Sequence, residues 1–430
     1  AGMKSALFLM LIPSTLARFG KVCGRFQRVT HPPRRPLPLA AREHVRFVHR
    51  ATLRGGGEDG DEVEERKGRK RGRKDEDSTN PQPKPKRNPN SKPRSSDTGK
   101  ISSKTRRTGV SAGRERIARD HTQRFPLLQG EIGIKIVSWN VAGLRSILNK
   151  PEKLKVLKRL IDEENPDIVC LQETKLQDSH VDKIAEELNR EIGMSGFWAC
   201  STERKGYSGV ATLLKNGYES LGIPSPAHRV VHGPGEGGAE GRIVETTFGP
   251  NLRLLNLYVP NSGAGLKRLD YRVNTWDTWL QDNISGDINV VICGDLNVAH
   301  KDSDFFCPEN KAYETQAGTT PAERESFGRM LKECELIDTF RHLHPKAKGV
   351  YSYWSQRARN RDWNRGLRLD YFVVNKKLVE GTHDISVDNA ADGSKSTKIR
   401  VVDSFVLDSS TLGVSDHAPV GLLLGVKRLD

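Results

Sequence analysis

The sequence predicts a mixed α/β domain with antiparallel strand pairing, preceded by a long basic extension. Strand-like runs outnumber helical ones across residues 131–430. Several of these runs are neighbours in sequence, separated only by turns, which suits antiparallel pairing better than a doubly wound parallel sheet. Charge also changes abruptly near residue 130. Residues 1–130 hold 31 Lys and Arg against 13 Asp and Glu, whereas residues 131–430 hold 39 against 41. The formal net charge of +16 therefore belongs to the N-terminal third.

Met3 to Arg54 contain eleven basic residues and one acidic residue, Glu43, with the apolar stretch "ALFLMLIP" near the start. This Arg-rich, acid-poor composition predicts an organellar transit peptide, the alternative being a basic extension with no targeting role. Residues 55–130 are rich in Gly, Ser, Pro and charge, with almost nothing to bury, and are expected to be disordered. Within them, "RKGRKRGRK" (66–74) and "KPKR" (84–87) are clusters of the nuclear-import or nucleic-acid type. Localisation to nucleus, mitochondrion or both is expected, with a plastid as a further destination. A near-neutral domain bearing such a tail suits a polyanionic partner, because Lys and Arg neutralise phosphates. A solvated tail is the competing reading.

Order is expected from Ile132 onward, as a single domain over 131–430. "IGIKIVSW" reads as a strand. In "KPEKLKVLKRLIDEENPD" (150–167), Leu154, Leu157, Leu160 and Ile161 share a helical face, and Pro166 marks the end. Strand "IVCLQET", helix "VDKIAEELNREI", loop "RKGYSG" and strand "GVATLLK" follow. Then come strands "RIVETTF" and "LRLLNLYV", the amphipathic stretch "LDYRVNTWDTWLQDNI", strand "INVVICGD" and helix "PAERESFGRMLKECEL". Strands "LDYFVV" and "PVGLLLGV" close the chain. Six cysteines (23, 170, 200, 293, 307, 334) include no metal-type spacing, and Cys170 and Cys293 fall inside apolar runs, as buried free thiols would. No apolar run reaches the roughly 18 residues of a membrane span, so no membrane partner is expected.

Polar residues recur where strands end. Asn140 follows "IVSW", Glu173 follows "IVCLQ", and Tyr258 and Asn261 close "LLNLYVPN". Asp295 and Asn297 follow "VVIC", Asp370 interrupts "LRLDYFVV", and Asp416-His417 precede "PVGLLL". One such residue is ordinary turn chemistry, but a whole set of oxygen and nitrogen ligands points further. Carboxylates and amides with one histidine suit a hard cation, Mg²⁺ or Mn²⁺. Carboxylate beside imidazole also suits proton management, and together these fit hydrolysis of a phosphate ester. A P-loop motif is absent from the sequence.

The strings "SWNVAGLR" (138–145), "CLQETK" (170–175), "GYSGVATL" (206–213), "EGRIV" (240–244), "YVPN" (258–261), "GDLNVAH" (294–300), "RLDYF" (368–372) and "SDHAPV" (415–420) resemble the exonuclease III-type apurinic/apyrimidinic endonucleases. "SDH" followed by "PV", and "GDLN", alone mark only the wider endonuclease/exonuclease/phosphatase superfamily, while "LQETK", "GYSGV", "YVPN", "GDLNVAH" and "RLDYF" together are specific to its DNA-repair branch. The resemblance spans essentially all of 131–430 and does not extend into 1–130.

It implies a four-layered α/β sandwich, two mixed β-sheets packed face to face between helices. It also implies Mg²⁺-dependent hydrolysis of the phosphodiester 5′ to an abasic site, leaving a 3′-hydroxyl, with 3′-exonuclease or 3′-phosphodiesterase activity. Glu173 would be the main metal ligand, helped by Asp416 and Asn140, and Asp295, Asn297 and His417 would complete the metal set. Asp295 would activate water, Asn297 would orient it, His417 paired with Asp370 would contact the scissile phosphate, and Tyr258 would touch the same phosphate or the leaving oxygen. Arg145, Lys175, Tyr207 and Asn261 would serve DNA binding, and Tyr353, Leu367 and Leu369 would form the abasic pocket, with core packing as the other reading of these three. The partner would be double-stranded DNA bound by a monomer. Departures are Ala142 (Asp or Asn in many relatives), Ala264 (an Arg in the animal enzyme), Gln316 (an Asn) and Leu367 (a pocket Trp). His300 is expected to hold the loop after its strand. A lipid or RNA phosphodiesterase on the same fold, and a non-catalytic nucleic-acid binder, are the rival readings.

Overall fold

The computed structural model describes residues 116–218, 226–249, 252–284, 289–381, 384–386 and 396–428. The expected transit peptide, the basic clusters and most of the expected disordered stretch lie outside these residues. The strands are β1 (Ile132–Asn140), β2 (Ile168–Gln172), β3 (Met194–Ala199), β4 (Val210–Lys215), β5 (Ala227–Val230), β6 (Ile243–Phe248) and β7 (Leu252–Tyr258). After them come β8 (Asn289–Asp295), β9 (Leu336–Asp338), β10 (Asp370–Asn375), β11 (Asp384–Ser386), β12 (Ser396–Val406) and β13 (Val420–Arg428).

One sheet has the order β11-β12-β13-β1-β2-β4-β3 and the other β5-β6-β7-β8-β10-β9. Each has a single parallel pair, β1/β2 in the first and β7/β8 in the second, and the remaining pairs are antiparallel. Side chains alternate across a strand. Thus Ile134 and Ile136 of β1 meet Val291 and Cys293 of β8 in the core between the sheets. Val137 and Trp139 turn instead toward the helices Pro151–Glu164 and Asp178–Ile192. Val290 and Ile292 of β8 likewise pack under Thr278–Ile284 and Pro321–Glu333. The result is helix, sheet, sheet, helix: the four-layered α/β sandwich the resemblance implies. Cys170 and Cys293 are buried free thiols in the central layer.

Local signals explain the helices. Pro151 opens the first long helix and Asn165 ends it in the left-handed conformation, just before Pro166. Thr320 and Glu323 form a reciprocal capping box at Pro321–Glu333. The amphipathic stretch 269–284 holds two kinds of turn: Tyr271–Asp277 is a π-type turn that runs into the helix Thr278–Ile284. A buried ion pair between Arg272 and Asp277, five residues apart, matches that wider turn. Arg272 also donates to the Leu296 carbonyl (2.8 Å), tying the turn to the loop after β8.

Order starts earlier than expected. Residues 116–130, assigned to the extension by their composition, lie against the domain through backbone hydrogen bonds and ion pairs such as Arg124–Asp403 (2.7 Å). Arg119, Asp120 and Arg124 meet partners far away in sequence, which composition does not reveal. Among the described residues no helix is long and apolar enough to cross a membrane.

Candidate active site

Strand ends of both sheets converge on one point. Asn140 ends β1 in register with Gln172, so Glu173 emerges beside it. In the other sheet Tyr258 pairs with Asp295, and Asp295 pairs with Asp370. Residues in register across strands project to the same face, so the phenol and the two carboxylates stand in a row. Gly294 permits this spacing: its φ is +129°, and a Cβ there would collide with the Leu257 carbonyl of β7. The turn before β13 supplies His417, fixed by its N–H to the Ser415 hydroxyl (3.1 Å) and by its carbonyl, which accepts from the Trp139 indole (3.1 Å).

The polar groups are buried, so each needs a partner. Asp370 Oδ2 lies 2.7 Å from His417 Nδ1, and His417 Nε2 lies 3.8 Å from Asp295 Oδ2. The Asn140 amide donates to both Asp295 Oδ2 (3.0 Å) and Glu173 Oε1 (3.1 Å), while its own oxygen accepts the Ala142 N–H (3.0 Å). Glu173 also receives the Tyr258 hydroxyl (2.7 Å) and pairs with Lys175 Nζ (2.8 Å). Asn297 donates its backbone N–H to Asp295 Oδ1 (3.0 Å) and its amide to the Val259 carbonyl (2.8 Å), and accepts from Asn261 (2.8 Å).

These surroundings separate the acid–base strengths. Burial, helped by Asp370 and Glu173, pushes Asp295 up to about 7, against the pull of His417 and the Asn140 amide. Burial disfavours charge on His417, but Asp370 and Asp295 outweigh it and raise the imidazole to about 10. Burial would raise Glu173 too; Lys175, Tyr258 and Asn140 hold it below the usual carboxylate value. Burial, then the negative charge of Glu173 and Asp295, pushes Tyr258 well above an ordinary phenol. The site thus pairs a basic carboxylate with a cationic imidazole.

Asp295, Asp370 and His417 place ligand atoms within 4.8 Å of one another and could hold a metal ion. Their donors fit a hard divalent cation. Asp370 Oδ1 is buried without a hydrogen-bond partner, an acceptor such an ion would satisfy. Asp416 stands outside that group, half-buried, its carboxylate accepting the Ser415 hydroxyl (3.4 Å).

The remaining expected residues fall around this centre. Tyr353, Leu367 and Leu369 join Phe305 and Tyr313 in one apolar cluster. The Tyr353 ring lies 5.0 Å from that of His417, so the cluster borders the imidazole. Arg145 and Asn261 are exposed and Tyr207 is half-buried. His300 sits edge-on to Phe327 (5.1 Å), with its backbone N–H on the Tyr371 hydroxyl (3.3 Å), a structural position.

Sequence reasoning missed several supports. Arg242, almost fully buried, donates to the Tyr258 carbonyl (2.9 Å) and the Tyr207 hydroxyl (2.9 Å), and its charge is met by Glu240. A lone arginine opening the apolar run "RIVETTF" was the available signal. Ser415 donates to the Asn140 carbonyl (2.7 Å), and Ser352 accepts the Asp370 N–H (3.0 Å). Nothing distinguishes these serines in sequence from loop serines.

A two-sheet sandwich with carboxylates, amides and an imidazole at its strand ends defines a class of phosphoester hydrolases. Residues 137–417 match the endonuclease/exonuclease/phosphatase family, and the chain belongs to it. It is 40% identical over 297 residues (68% of this chain, all of the relative) to an exodeoxyribonuclease of Bacillus subtilis. It is 37% identical over 296 residues (68% of this chain, 83% of the relative) to DNA repair nuclease APEX1 of Danio rerio. Among solved structures it is similar to the AP endonuclease LMAP of Leishmania major, with TM-score 0.57 and 30% identity over 73% of this chain and 97% of that one. These likenesses set the chain in the exonuclease III-type branch.

Proposed function

We propose that this protein is a DNA-repair nuclease that hydrolyses the phosphodiester 5′ to an abasic site in duplex DNA, with 3′-end trimming as a second activity. The observation that carries the reading is the seating of the Asp295–His417–Asp370 group beside an apolar cluster, with the Tyr353 ring 5.0 Å from that of His417. Asp295, raised to about 7, takes a proton from water whose direction Asn297 sets. The water oxygen bonds to phosphorus, the P–O3′ bond breaks, and the leaving oxygen takes up a proton to become the 3′-hydroxyl. His417, kept charged by Asp370, meets the growing negative charge on the phosphate, and Tyr258 offers a hydroxyl to the same region. Glu173, Asn140 and Asp416, with the carboxylates of Asp295 and Asp370, are the residues that would hold Mg²⁺, or Mn²⁺ in its place. A bound cation there supplies charge neutralisation at the phosphate oxygens.

Tyr353, Leu367 and Leu369 receive the extrahelical abasic sugar, while Arg145, Lys175, Tyr207 and Asn261 contact the backbone. The protein works as a monomer on double-stranded DNA, in the nucleus, the mitochondrion or both; imaging the full chain beside one lacking residues 3–54 checks the destination. A duplex with a single tetrahydrofuran abasic analogue tests the activity. Nicking with Mg²⁺ and a 3′-hydroxyl product are expected, together with loss of nicking in Asp295→Asn. Absence of nicking, with turnover of a lipid or RNA phosphodiester instead, would refute the assignment.

A further inference from the structure

Residues 117–119 lie along one edge of the domain and make contacts that composition gave no reason to expect. The Ile117 N–H donates to the Trp363 carbonyl (3.0 Å), and the Ile117 carbonyl accepts from Asn364 Nδ2 (3.1 Å). Asn364 is buried in the left-handed conformation (φ 49°). Its amide also donates to the Gly349 carbonyl (2.9 Å) and accepts from the Trp354 indole (3.2 Å). Gly349 has φ +67°, and a Cβ there would collide with the Ala118 carbonyl, so the glycine leaves the segment room to lie flat.

Arg119 extends the connection. Its guanidinium pairs with Asp408 Oδ2 (2.8 Å) and donates to the Val406 carbonyl (3.1 Å). The other oxygen of Asp408 receives Arg361 (3.2 Å). Arg361 lies 4.5 Å over the Trp354 ring and donates to the Ser415 carbonyl (3.4 Å), two residues before His417.

What these contacts hold is an excursion of the chain, residues 354–366. Its ends are Tyr353 and Leu367, paired by reciprocal backbone hydrogen bonds of 2.8 and 2.9 Å, and both belong to the apolar cluster beside His417. Its tip presents Arg357 and Arg359 to solvent, and Arg359 is also left-handed (φ 51°). A loop with two non-glycine residues in that region keeps its shape only where surroundings impose it. Here the surroundings include Ile117 and Arg119.

We infer that residues 117–119 form a strap that positions loop 354–366 and the Ser415–His417 turn for substrate, with Arg119 acting through Asp408 and Arg361. The inference rests on the proposed DNA substrate. Without the Ile117 N–H, the Trp363 carbonyl of the loop loses its partner and residue 117 its hold on the loop. Without Arg119, Arg361 is free to take both oxygens of Asp408 and turn away from Ser415. Arg119 and Ile117 touch no reacting atom, so they are positioning residues.

The test uses the full chain with Arg119→Ala, Arg119→Lys, and Arg119→Ala combined with Ile117→Pro. On the abasic duplex, KM is expected to rise about fivefold in the combined variant while kcat stays within about twofold, since a loosened loop weakens substrate capture more than proton transfer. Arg119→Lys keeps a cation on Asp408 and should recover most of the loss. Tryptic cleavage at Arg357 and Arg359, followed by mass spectrometry below the melting temperature, should accelerate in the combined variant. The single variant gives the same comparison should the combined one fold poorly. Unchanged KM with unchanged cleavage overturns the inference, and so does a fall in kcat alone. A wild-type chain that fails to nick the duplex refutes the substrate instead, and the cleavage arm still decides the strap.

Discussion

At the scale of single residues, the proposed chemistry rests on the contrast between Asp295 and His417. Both are buried within 3.8 Å of each other, yet one is held basic and the other cationic. Asp370 maintains that contrast, because its carboxylate is the strongest support for charge on His417. Asp370→Asn is expected to lower kcat by about 10²–10³-fold with little change in the circular dichroism spectrum. It should also move the alkaline limb of the pH–rate profile downward, as an imidazole without its carboxylate loses its proton sooner; an unmoved limb would count against this role. Arg242 acts at one remove, since it links Tyr258 and Tyr207. Arg242→Met should remove both contacts and leave Glu240 only its longer pair with Arg268 (3.3 Å), which costs about 1–3 kcal/mol and is read by thermal melting.

At the scale of elements, the alignment of three strand ends sets the chemistry. Gly294 allows β8 to lie against β7 in register, with Tyr258 beside Asp295. Gly294→Ala forces the Leu257 carbonyl away, and is expected to lower both the melting temperature and kcat. Survival of full activity would show that the register tolerates the shift. One side of the apolar cluster beside His417 depends on Arg368, which bonds Asp304 and Asp338 and holds Leu367 and Leu369 on either side of it. Two histidines give an acid dependence. Burial lowers both His228 and His300 to about 4, from 6.5. The unfolded chain therefore binds more protons between those values, so their contribution to stability is complete above pH 6.5 and is lost as pH falls toward 4. The melting temperature should decline across that window, and the double variant His228→Gln/His300→Gln should flatten the slope.

At the scale of the whole molecule, charge is divided between an almost neutral catalytic domain and a basic extension. Removing residues 1–115 is expected to reduce non-specific DNA affinity and the steepness of its salt dependence, by about 0.9 in log–log slope for each phosphate the extension no longer neutralises. Specific nicking at an abasic site should persist, because the residues proposed for it lie beyond 130 and the removal spares residues 117–119. Titrating binding against salt for both chains measures this. Chelation of divalent cations should abolish nicking in both, and added Mg²⁺ should restore it.

Much of this was legible in the sequence. Short, largely apolar runs marked β1, β2, β4, β6, β7, β8, β10 and β13, because strands covered on both faces bury nearly every residue. The edge strands β3, β5, β9 and β11 and the long β12 were missed, since they are short or broken by polar and charged residues. The recurring polar strand ends and their motifs indicated the chemistry and the residues that would carry it.

What the sequence by itself determined was therefore the layer type, the order of the elements and the inventory of reactive groups. Only the tertiary structure decided which strand ends meet, that Asn140 bridges Asp295 and Glu173, that Arg242 ties Tyr258 to Tyr207, and that residues 117–119 belong to the domain. Those contacts join positions up to hundreds of residues apart, as Ile117 and Trp363 do. A carboxylate at a strand end looks the same in sequence whether water or an imidazole faces it, and the path of the chain between the two sheets makes the difference.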